Sequence, residues 1–246
     1  MNLRVLCGSS LLMSIADNLA EVRERIDRAA RRVGRRAQDI ALMAVSKTFP
    51  AERIREAYDA GVRLFGENRV QEFASKVDSL RDLRDAEFHL IGHLQSNKAA
   101  KAVELFAAVD SVDSLRLAQK LNVSAQQSGK RISVLIEINV GGEVAKSGVA
   151  PGSRELEDLI SGAQALPNLE FRGLMTVPPF SDDPQQSRPY FRQLRELRDQ
   201  IAVRKLAAID LKTLSMGMSH DFEAAIEEGS TCVRVGTAIF GERTKG

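Results

Sequence analysis

Lys47 is the residue in this sequence best placed to act as a nucleophile. It follows the uninterrupted apolar run IALMAV at positions 40–45 and stands in the polar triplet Ser46-Lys47-Thr48. Such a run predicts a strand buried on both faces, and ligands bind at the carboxyl ends of such strands. Partial desolvation there favours the neutral amine, which condenses with aldehydes. The alternative is a lysine that extends from the strand end into water.

Two segments rich in glycine and hydroxyl groups predict a phosphate site. SMGMS at 215–219 and RVGT at 234–237 follow the last two predicted strands, where barrels often bind phosphate. Ser215 and, after it, Gly236 with Thr237 could supply backbone N–H groups and hydroxyls to an anion. A phosphate site beside an imine-forming lysine indicates pyridoxal 5′-phosphate.

Arg234 is a charge inside the apolar strand CVRVG at 232–236. It could pair with Glu67 or Glu223, or point outward. Beneath a cofactor ring it could instead donate to the ring nitrogen and keep that nitrogen unprotonated. This would limit the ring as an electron sink and disfavour carbanions.

Strands and helices alternate along the whole sequence, which predicts parallel strands with right-handed crossovers. Eight such units indicate a single-domain α/β fold, a (β/α)₈ barrel of the TIM type. A doubly wound open sheet is the alternative. The predicted strands span 40–46, 63–66, 88–91, 107–112, 132–140, 169–176, 211–216 and 232–236. The predicted helices include 17–33, 50–61, 95–105 and 184–206, with Ser114 and Ser219 as N-caps of two others.

Composition excludes several classes of protein. The 246 residues carry a formal net charge of +2, with 43% hydrophobic residues, as in an ordinary globular chain. The arginine-rich stretch 23–36 is interleaved with apolar residues at helical spacing, which favours a solvated helix face over nucleic-acid binding. Cys7 and Cys232 lie far apart and the histidines lack metal-ligand spacing, so we expect no metal, no disulfide and a reducing cytoplasm. We expect residues 1–13 to form a disordered extension, because this segment is too short and polar for a membrane span. We expect residues 14–246 to form the barrel domain.

Five ordered motifs closely resemble the YggS/PROSC family of pyridoxal phosphate homeostasis proteins. They are AVSKT at 44–48, FGEN at 65–68 with VQE at 70–72, HLIGHLQSNK at 89–98, LSMGMS at 214–219 and VRVGTAIFG at 233–241. The resemblance implies a fold similar to the alanine racemase N-terminal domain, with Lys47 as the Schiff-base lysine. It also implies that Arg234 faces the ring nitrogen, that Ser215, Gly236 and Thr237 hold the phosphate, and that Asn68, His89 and Met216 line the pocket. Phe88 departs from the family, which often has Trp there.

The resemblance implies a carrier that takes part in intracellular pyridoxal phosphate, or vitamin B6, homeostasis without robust catalysis. We expect apo forms of pyridoxal-phosphate enzymes as partners, a monomer, and no membrane or nucleic-acid partner. The alternative is an amino-acid racemase or weak lyase that uses Lys47 as one base and water or His89 as the other. The carrier is favoured because Tyr58 and Tyr190 both fall on predicted helices, so neither supplies an obvious second base. A third class is a docking protein that uses the arginine-rich helix, or Lys98 and Lys101.

Overall fold

The computed structural model describes residues 14–143 and 146–242. Within them, eight parallel strands close into a barrel in chain order, with β1 paired to β8. This confirms the barrel and excludes the open sheet. The strands are β1 (Ala41–Val45), β2 (Leu64–Glu67), β3 (Glu87–Leu90), β4 (Ala108–Val112), β5 (Ile132–Glu137), β6 (Leu169–Met175), β7 (Ile209–Met218) and β8 (Cys232–Val235).

Helices connect successive strands and cover the outside of the barrel. They are α1 (Ile15–Arg32), α2 (Ala51–Asp59), α3 (Val70–Lys76), α4 (Ala99–Leu105), α5 (Leu115–Gln127), α6 (Arg154–Gly162), α7 (Arg188–Ala202), α8 (Phe222–Glu227) and α9 (Thr237–Phe240). Short 3₁₀ turns precede or follow several of them, and one at Pro184–Ser187 takes the first turn of the long helix predicted over 184–206. The apolar faces of the helices and strands form one continuous core.

The first helix illustrates how local sequence sets these elements. Ser14 caps α1 through a capping box with Asp17, which satisfies N–H groups at the helix start that have no partner within the helix. Leu19, Val22 and Ile26 recur at helical spacing and are buried against the barrel. The helix therefore begins two residues before the predicted start and ends one residue before the predicted end.

The arginine-rich stretch is largely used within the fold. Arg25 and Arg32 pair with Glu223 at 2.8 and 3.1 Å, which ties α1 to α8. Arginines on α7 also pair with the end of α8, where Glu227 is the last residue of the helix and Glu228 follows it. These pairs support the solvated structural face over the docking hypothesis. Lys101, from the second docking surface considered, pairs with Glu104 at 2.7 Å.

Two strand boundaries differ from the predicted ones. β5 ends at Glu137 rather than at 140, because Ile138 turns to form an isolated bridge with Val149. β7 runs to Met218, two residues further than predicted, and passes through Gly217 at φ +94°. A Cβ at Gly217 would lie 2.5 Å from the Ala225 Cβ, so only glycine lets this strand end pack on α8.

The predicted role of Ser219 as an N-cap is wrong, because Asp221 occupies the N-cap position of α8. Ser114 caps α5 as predicted. Among the described residues, no helix is long and apolar enough to cross a bilayer. The predicted disordered extension over 1–13 lies outside the described residues.

Candidate functional site

A cavity of about 400 Å³ opens at the carboxyl ends of the barrel strands. Volumes of this size suit small-molecule ligands, and this end of a barrel is where active sites occur. Of the residues singled out in the sequence, five line it: Lys47, Asn68, Arg234, Gly236 and Thr237. The structure therefore brings the expected lysine, arginine and phosphate-loop residues to one place.

Lys47 stands two residues beyond the end of β1. The strand is fully buried at Met43 and Ala44, as the apolar run predicts, and Val45 forms part of the cavity wall. Lys47 itself is half-buried and is one of the residues that line the cavity. Thr48, the next residue, adopts the left-handed region at φ +68° and is exposed. The chain therefore turns sharply directly after the lysine.

Arg234 is a buried cation on β8, 3% exposed. Its Nη1 donates to the Ser215 carbonyl at 2.6 Å and to Ser215 Oγ at 2.7 Å, and its Nη2 donates to the Thr176 carbonyl at 2.7 Å. These acceptors are uncharged, and burial lowers the pKa of the guanidinium below its ordinary value. A guanidinium carries more N–H groups than these bonds use, so Arg234 can also donate to a ligand in the cavity.

The β8–α9 turn gathers hydrogen-bond donors around one oxygen. The N–H groups of Gly236 and Ala238 donate to Ser219 Oγ at 3.1 and 3.4 Å. Ser219 and Thr237 also line the cavity and bring two hydroxyls to the same corner. Amide and hydroxyl donors that converge in this way suit the oxygens of a phosphate. Ser219, the last residue of the SMGMS motif, thus belongs to this corner.

Asn68 reaches the cavity because the chain is closely packed behind it. A Cβ at Gly92 would lie 2.3 Å from the Asn68 carbonyl oxygen, so only glycine allows the β3 loop to pass there. The Gly92 carbonyl in turn accepts from Ser111 Oγ at 2.7 Å. Two of the sequence motifs, FGEN and HLIGH, therefore meet at this wall.

The structure does not bring His89 to this cavity. Ile91, two residues further along, lines the cavity, while His89 lines a separate opening at the amino ends of the strands. Residues two apart on a strand share a face but lie about 6.6 Å apart along it, which places His89 one layer below. Its Nδ1 lies 3.2 Å from buried Asp110. Burial alone would lower the pKa of His89, but the carboxylates of Asp110 and Glu87 together outweigh it and raise that pKa to about 9.

Ser215 and Met216 also lie outside the described cavity lining. Ser215 is fully buried, and its carbonyl and Oγ both accept from Arg234, so in this structure it orients the guanidinium. Met216 is fully buried in the hydrophobic core. Both lie before the end of β7, which extends to Met218, and Met218 is the residue that reaches the cavity. The predicted site was therefore placed too early along this strand.

The outer wall of the cavity was not foreseen. It consists of the β6–α7 segment 177–181, of Met218 at the end of β7, and of residues 219–221 that follow it. Phe180 in this wall is 79% exposed, and its ring centroid lies 5.9 Å from that of His220. A prolyl pair and a single phenylalanine in a loop carry no periodic signal, so the sequence offered no pattern to find them.

Lys146, a second lysine that follows β5 in the sequence, lies beside a neighbouring cavity of about 300 Å³. Its Nζ pairs with Glu143 Oε1 at 2.6 Å and lies 3.4 Å from the Pro178 carbonyl. Glu137 lines the same cavity, and its Oε2 atom is buried with no hydrogen-bond partner among the described residues. Burial, with the Asp113 charge in addition, raises the pKa of Glu137 to about 7 although Arg234 opposes this.

The residues that the structure describes contain no cluster of histidine, cysteine and acidic side chains suited to a metal ion. The groups that line the cavity are an amine, a guanidinium, hydroxyls and backbone amides, together with the imidazole of His220 and the carboxylate of Asp221. Such a donor set suits a phosphorylated aldehyde with an aromatic ring nitrogen.

Residues 18–244 match the family model of the alanine racemase N-terminal domain. The pyridoxal phosphate homeostasis protein of Aquifex aeolicus is 47% identical over 231 residues, which cover 94% of this chain and 99% of that one. The structure of PipY from Synechococcus elongatus PCC7942 with PLP bound has a TM-score of 0.80 at 38% identity. The match covers 93% of this chain and 100% of that one. Alanine racemase of Streptomyces coelicolor has a TM-score of 0.71 at 20% identity, covering 92% of this chain and 59% of that one, a likeness in fold.

Proposed function

This chain belongs to the alanine racemase N-terminal domain family, among its pyridoxal phosphate homeostasis proteins, and on that premise we propose that it holds pyridoxal 5′-phosphate reversibly on Lys47. Its role is intracellular homeostasis of that cofactor, without a robust catalytic cycle. The observation that supports this best is the meeting of Lys47, Arg234 and the β8–α9 donors in one cavity.

The donor set fits each part of the cofactor. The N–H groups of Gly236 and Ala238 both donate to Ser219 Oγ, so this turn directs two amide donors at one oxygen acceptor, as a phosphate site would require. Thr237 adds a hydroxyl to this corner. Arg234 is fixed by Ser215 and Thr176 and can still donate to an uncharged ring nitrogen.

Bound pyridoxal phosphate supplies an aldehyde that condenses with primary amines. The part played by the chain is to present the Lys47 amine on the wall and to hold the phosphate and the ring. If Arg234 donates to the ring nitrogen, as the family resemblance implies, a proton on that nitrogen would be disfavoured. Such a site retains the cofactor but gives little stabilisation to a carbanion, which suits a carrier.

The described tyrosines do not supply a second catalytic base. Tyr58 donates to Asp85 on the outside of the barrel, and neither it nor Tyr190 lines the cavity. His89, considered as the second base of a racemase, lies at the opposite opening. His220 does line the cavity and gives the racemase or lyase alternative one acid–base group to test.

An absorbance spectrum before and after borohydride reduction, followed by peptide mapping, tests this function. We expect an absorbance band near the border of the visible and ultraviolet that Lys47→Ala abolishes while the thermal unfolding curve stays cooperative. An adduct on Lys146 or Lys98 would contradict the assignment. Turnover of D- or L-amino acids at about 1 per second or faster would establish an enzyme instead. Loss of that turnover in His220→Gln would identify its second base.

The same proposal includes the partners and location of the protein. Apo forms of pyridoxal-phosphate enzymes are the recipients, and the chain acts as a monomer in the cytoplasm. Transfer is measured by the recovery of activity of an apo-enzyme that is separated from the loaded chain by a membrane or mixed with it directly. Faster recovery on direct mixing supports hand-over; equal rates indicate release into solution. Light scattering measures the oligomeric state.

A further inference from the structure

A buried polar cluster lies behind the segment that carries Lys47. It consists of Glu67 at the end of β2 and of Glu72 and Lys76 on α3, and we refer to it as the Glu67–Lys76 cluster. Glu67 Oε1 accepts from Ser46 Oγ at 2.6 Å and lies 2.8 Å from Lys76 Nζ. Glu67 is fully buried and the Lys76 side chain is 10% exposed. The cluster thus binds the side chain of Ser46, the residue directly before Lys47.

The same cluster also binds backbone groups on both sides of Lys47. Lys76 Nζ donates to the carbonyls of Ser46 at 3.2 Å and Phe49 at 3.1 Å. The Thr48 N–H donates to Glu72 Oε1, which also accepts from Lys76. Backbone groups at 46, 48 and 49 are therefore all bound to side chains of α3. The turn around Lys47 is fixed from both sides.

The turn needs this support because Thr48 lies at φ +68°. A residue with a Cβ pays about 1–2 kcal/mol in the left-handed region, and a β-branched residue is a rare occupant. The hydrogen bond from the Thr48 N–H to Glu72 stabilises that conformation. Without it, a relaxed backbone would carry the Lys47 stem away from the wall.

Burying the charged groups of this cluster costs free energy, so the cluster is a poor source of net stability. Glu67 Oε2 has no hydrogen-bond partner within the described residues, and burial raises the pKa of Glu67 even though Lys76 opposes this. Buried ion pairs often stabilise a fold less than apolar side chains of the same size would. None of the three cluster residues is among the described residues that line the cavity. Their contacts point instead to the backbone that carries the lysine.

We propose that Glu67, Glu72 and Lys76 are positioning residues that set the Ser46–Phe49 turn so that the Lys47 amine meets the aldehyde of the cofactor. The proposal rests on the proposed function. Misplacement of a reacting group by about 1 Å can cost about 100-fold, so loosening this turn affects bond formation before it affects binding of the phosphate and ring.

Two ligands separate positioning from general structural support. Pyridoxal 5′-phosphate reacts with the lysine, whereas pyridoxine 5′-phosphate has the same ring and phosphate but no aldehyde. We expect Lys76→Met to lower the affinity for the aldehyde about tenfold or more and to slow its capture, measured by stopped-flow absorbance. The affinity for pyridoxine 5′-phosphate, measured by calorimetry, stays within about twofold because the phosphate corner and Arg234 are untouched.

Lys130→Met is the matched control. Lys130 Nζ also donates to two backbone carbonyls, those of Val103 at 3.4 Å and Glu104 at 3.5 Å, but these belong to the carboxyl end of α4 and not to the Ser46–Phe49 turn. It should leave both affinities and the capture rate unchanged. Equal effects of Lys130→Met and Lys76→Met on capture would show that loss of any such lysine is sufficient and would overturn the proposal.

A rescue experiment tests the turn directly. Glu72→Gln keeps the buried Glu67–Lys76 pair but weakens the acceptor for the Thr48 N–H, and it should slow capture of the aldehyde. Adding Thr48→Gly should restore the rate, because glycine adopts φ +68° without a Cβ penalty. A purely structural role predicts the reverse, since glycine loosens the chain. If Lys76→Met does not fold, this pair of variants decides the question alone.

The outcomes distinguish this proposal from the proposed function. A wild-type chain that binds neither ligand, or that binds the aldehyde as well after Lys47→Ala, contradicts the function. A wild type that behaves as proposed, with variants that weaken both ligands equally or show no rescue by glycine, contradicts the positioning role and leaves the function standing.

Discussion

Glu137→Gln should change how the stability of the chain depends on pH. Glu137 has a buried Oε2 with no partner among the described residues, and burial raises its pKa to about 7 from an ordinary value of 4.5. A carboxyl whose pKa is raised by folding contributes stability that is complete below pH 4.5. That contribution is lost as the pH rises through 7, because ionisation then opposes folding.

The two pKa values set the size of the effect. Linkage between them gives a loss of about 2.5 kcal/mol between pH 5 and pH 8. Glu137 borders a cavity of about 300 Å³, where water can relax part of this penalty, so we expect about 1–2.5 kcal/mol. The glutamine stays neutral at both pH values and does not lose this amount. The difference in the free energy of unfolding, variant minus wild type, should therefore be about 1–2.5 kcal/mol larger at pH 8 than at pH 5.

Urea unfolding at pH 5 and pH 8, on wild type and variant, measures this difference. Packing effects of the glutamine act equally at both pH values and cancel in the comparison, as do other groups that titrate in this range. Glu155→Gln is the control, since Glu155 is exposed at the start of α6, and it should show no such dependence on pH. An identical free-energy difference between Glu137→Gln and wild type at both pH values would refute the reasoning.

Three further changes test the site and its supports. Thr237→Val should weaken binding of pyridoxal 5′-phosphate about tenfold, by loss of a charge-assisted hydrogen bond, and leave pyridoxal nearly unaffected in calorimetry. His89→Gln should destabilise the fold by about 3 kcal/mol at pH 6, because buried Asp110 loses its counter-charge. This contribution is complete below pH 6.5 and is lost as the pH rises through 9, so urea curves of variant and wild type converge at high pH. Gly92→Ala should cost about 1–3 kcal/mol in thermal unfolding, because the new Cβ meets the Asn68 carbonyl.

Each of these three has an outcome that contradicts it. If Thr237→Val weakened the binding of pyridoxal and of pyridoxal 5′-phosphate equally, Thr237 would not be a phosphate-binding residue. A constant effect of His89→Gln across pH would mean that the imidazole is not the counter-ion of Asp110. His93→Gln is its control, because His93 lies 3.2 Å from Asp113 but is 55% exposed, and it should change stability little. An unchanged thermal unfolding temperature in Gly92→Ala would contradict the predicted clash with the Asn68 carbonyl.

Much of the fold and part of the site could be predicted because the signals are local. The apolar run before Lys47 placed that residue at a strand end, and the barrel then places every strand end at one opening. The same logic located Arg234 and the β8–α9 turn, since β8 is short and its end is marked by Gly236. Where strand end and motif coincide, sequence alone was sufficient.

His89 and Ser215 could not be assigned correctly because their roles depend on depth along a strand. A strand pattern shows which residues share a face, but a shift of two residues moves a side chain by a whole layer of the barrel. β7 extends past its apolar run to Met218, and the sequence carries no mark of that extension. The Glu67–Lys76 cluster was missed for a related reason: pairing between β2 and α3 side chains has no signature at either position.

The seam between β1 and β8 has a consequence for how the chain folds. Lys47 follows the first strand and Arg234 lies in the last, and the two strands become neighbours only when the ring closes. Asn18 of α1 donates to the Ile239 carbonyl across 221 positions of sequence, which ties the same seam from outside. Contacts of such long sequence separation cost the most loop entropy, so we expect this seam to close late in folding. A nascent or half-formed ring can have most of its secondary structure and no place for a ligand that needs both edges. Uptake of that ligand therefore reports completion of the last folding step, and its arrival should selectively slow the reopening of that one seam.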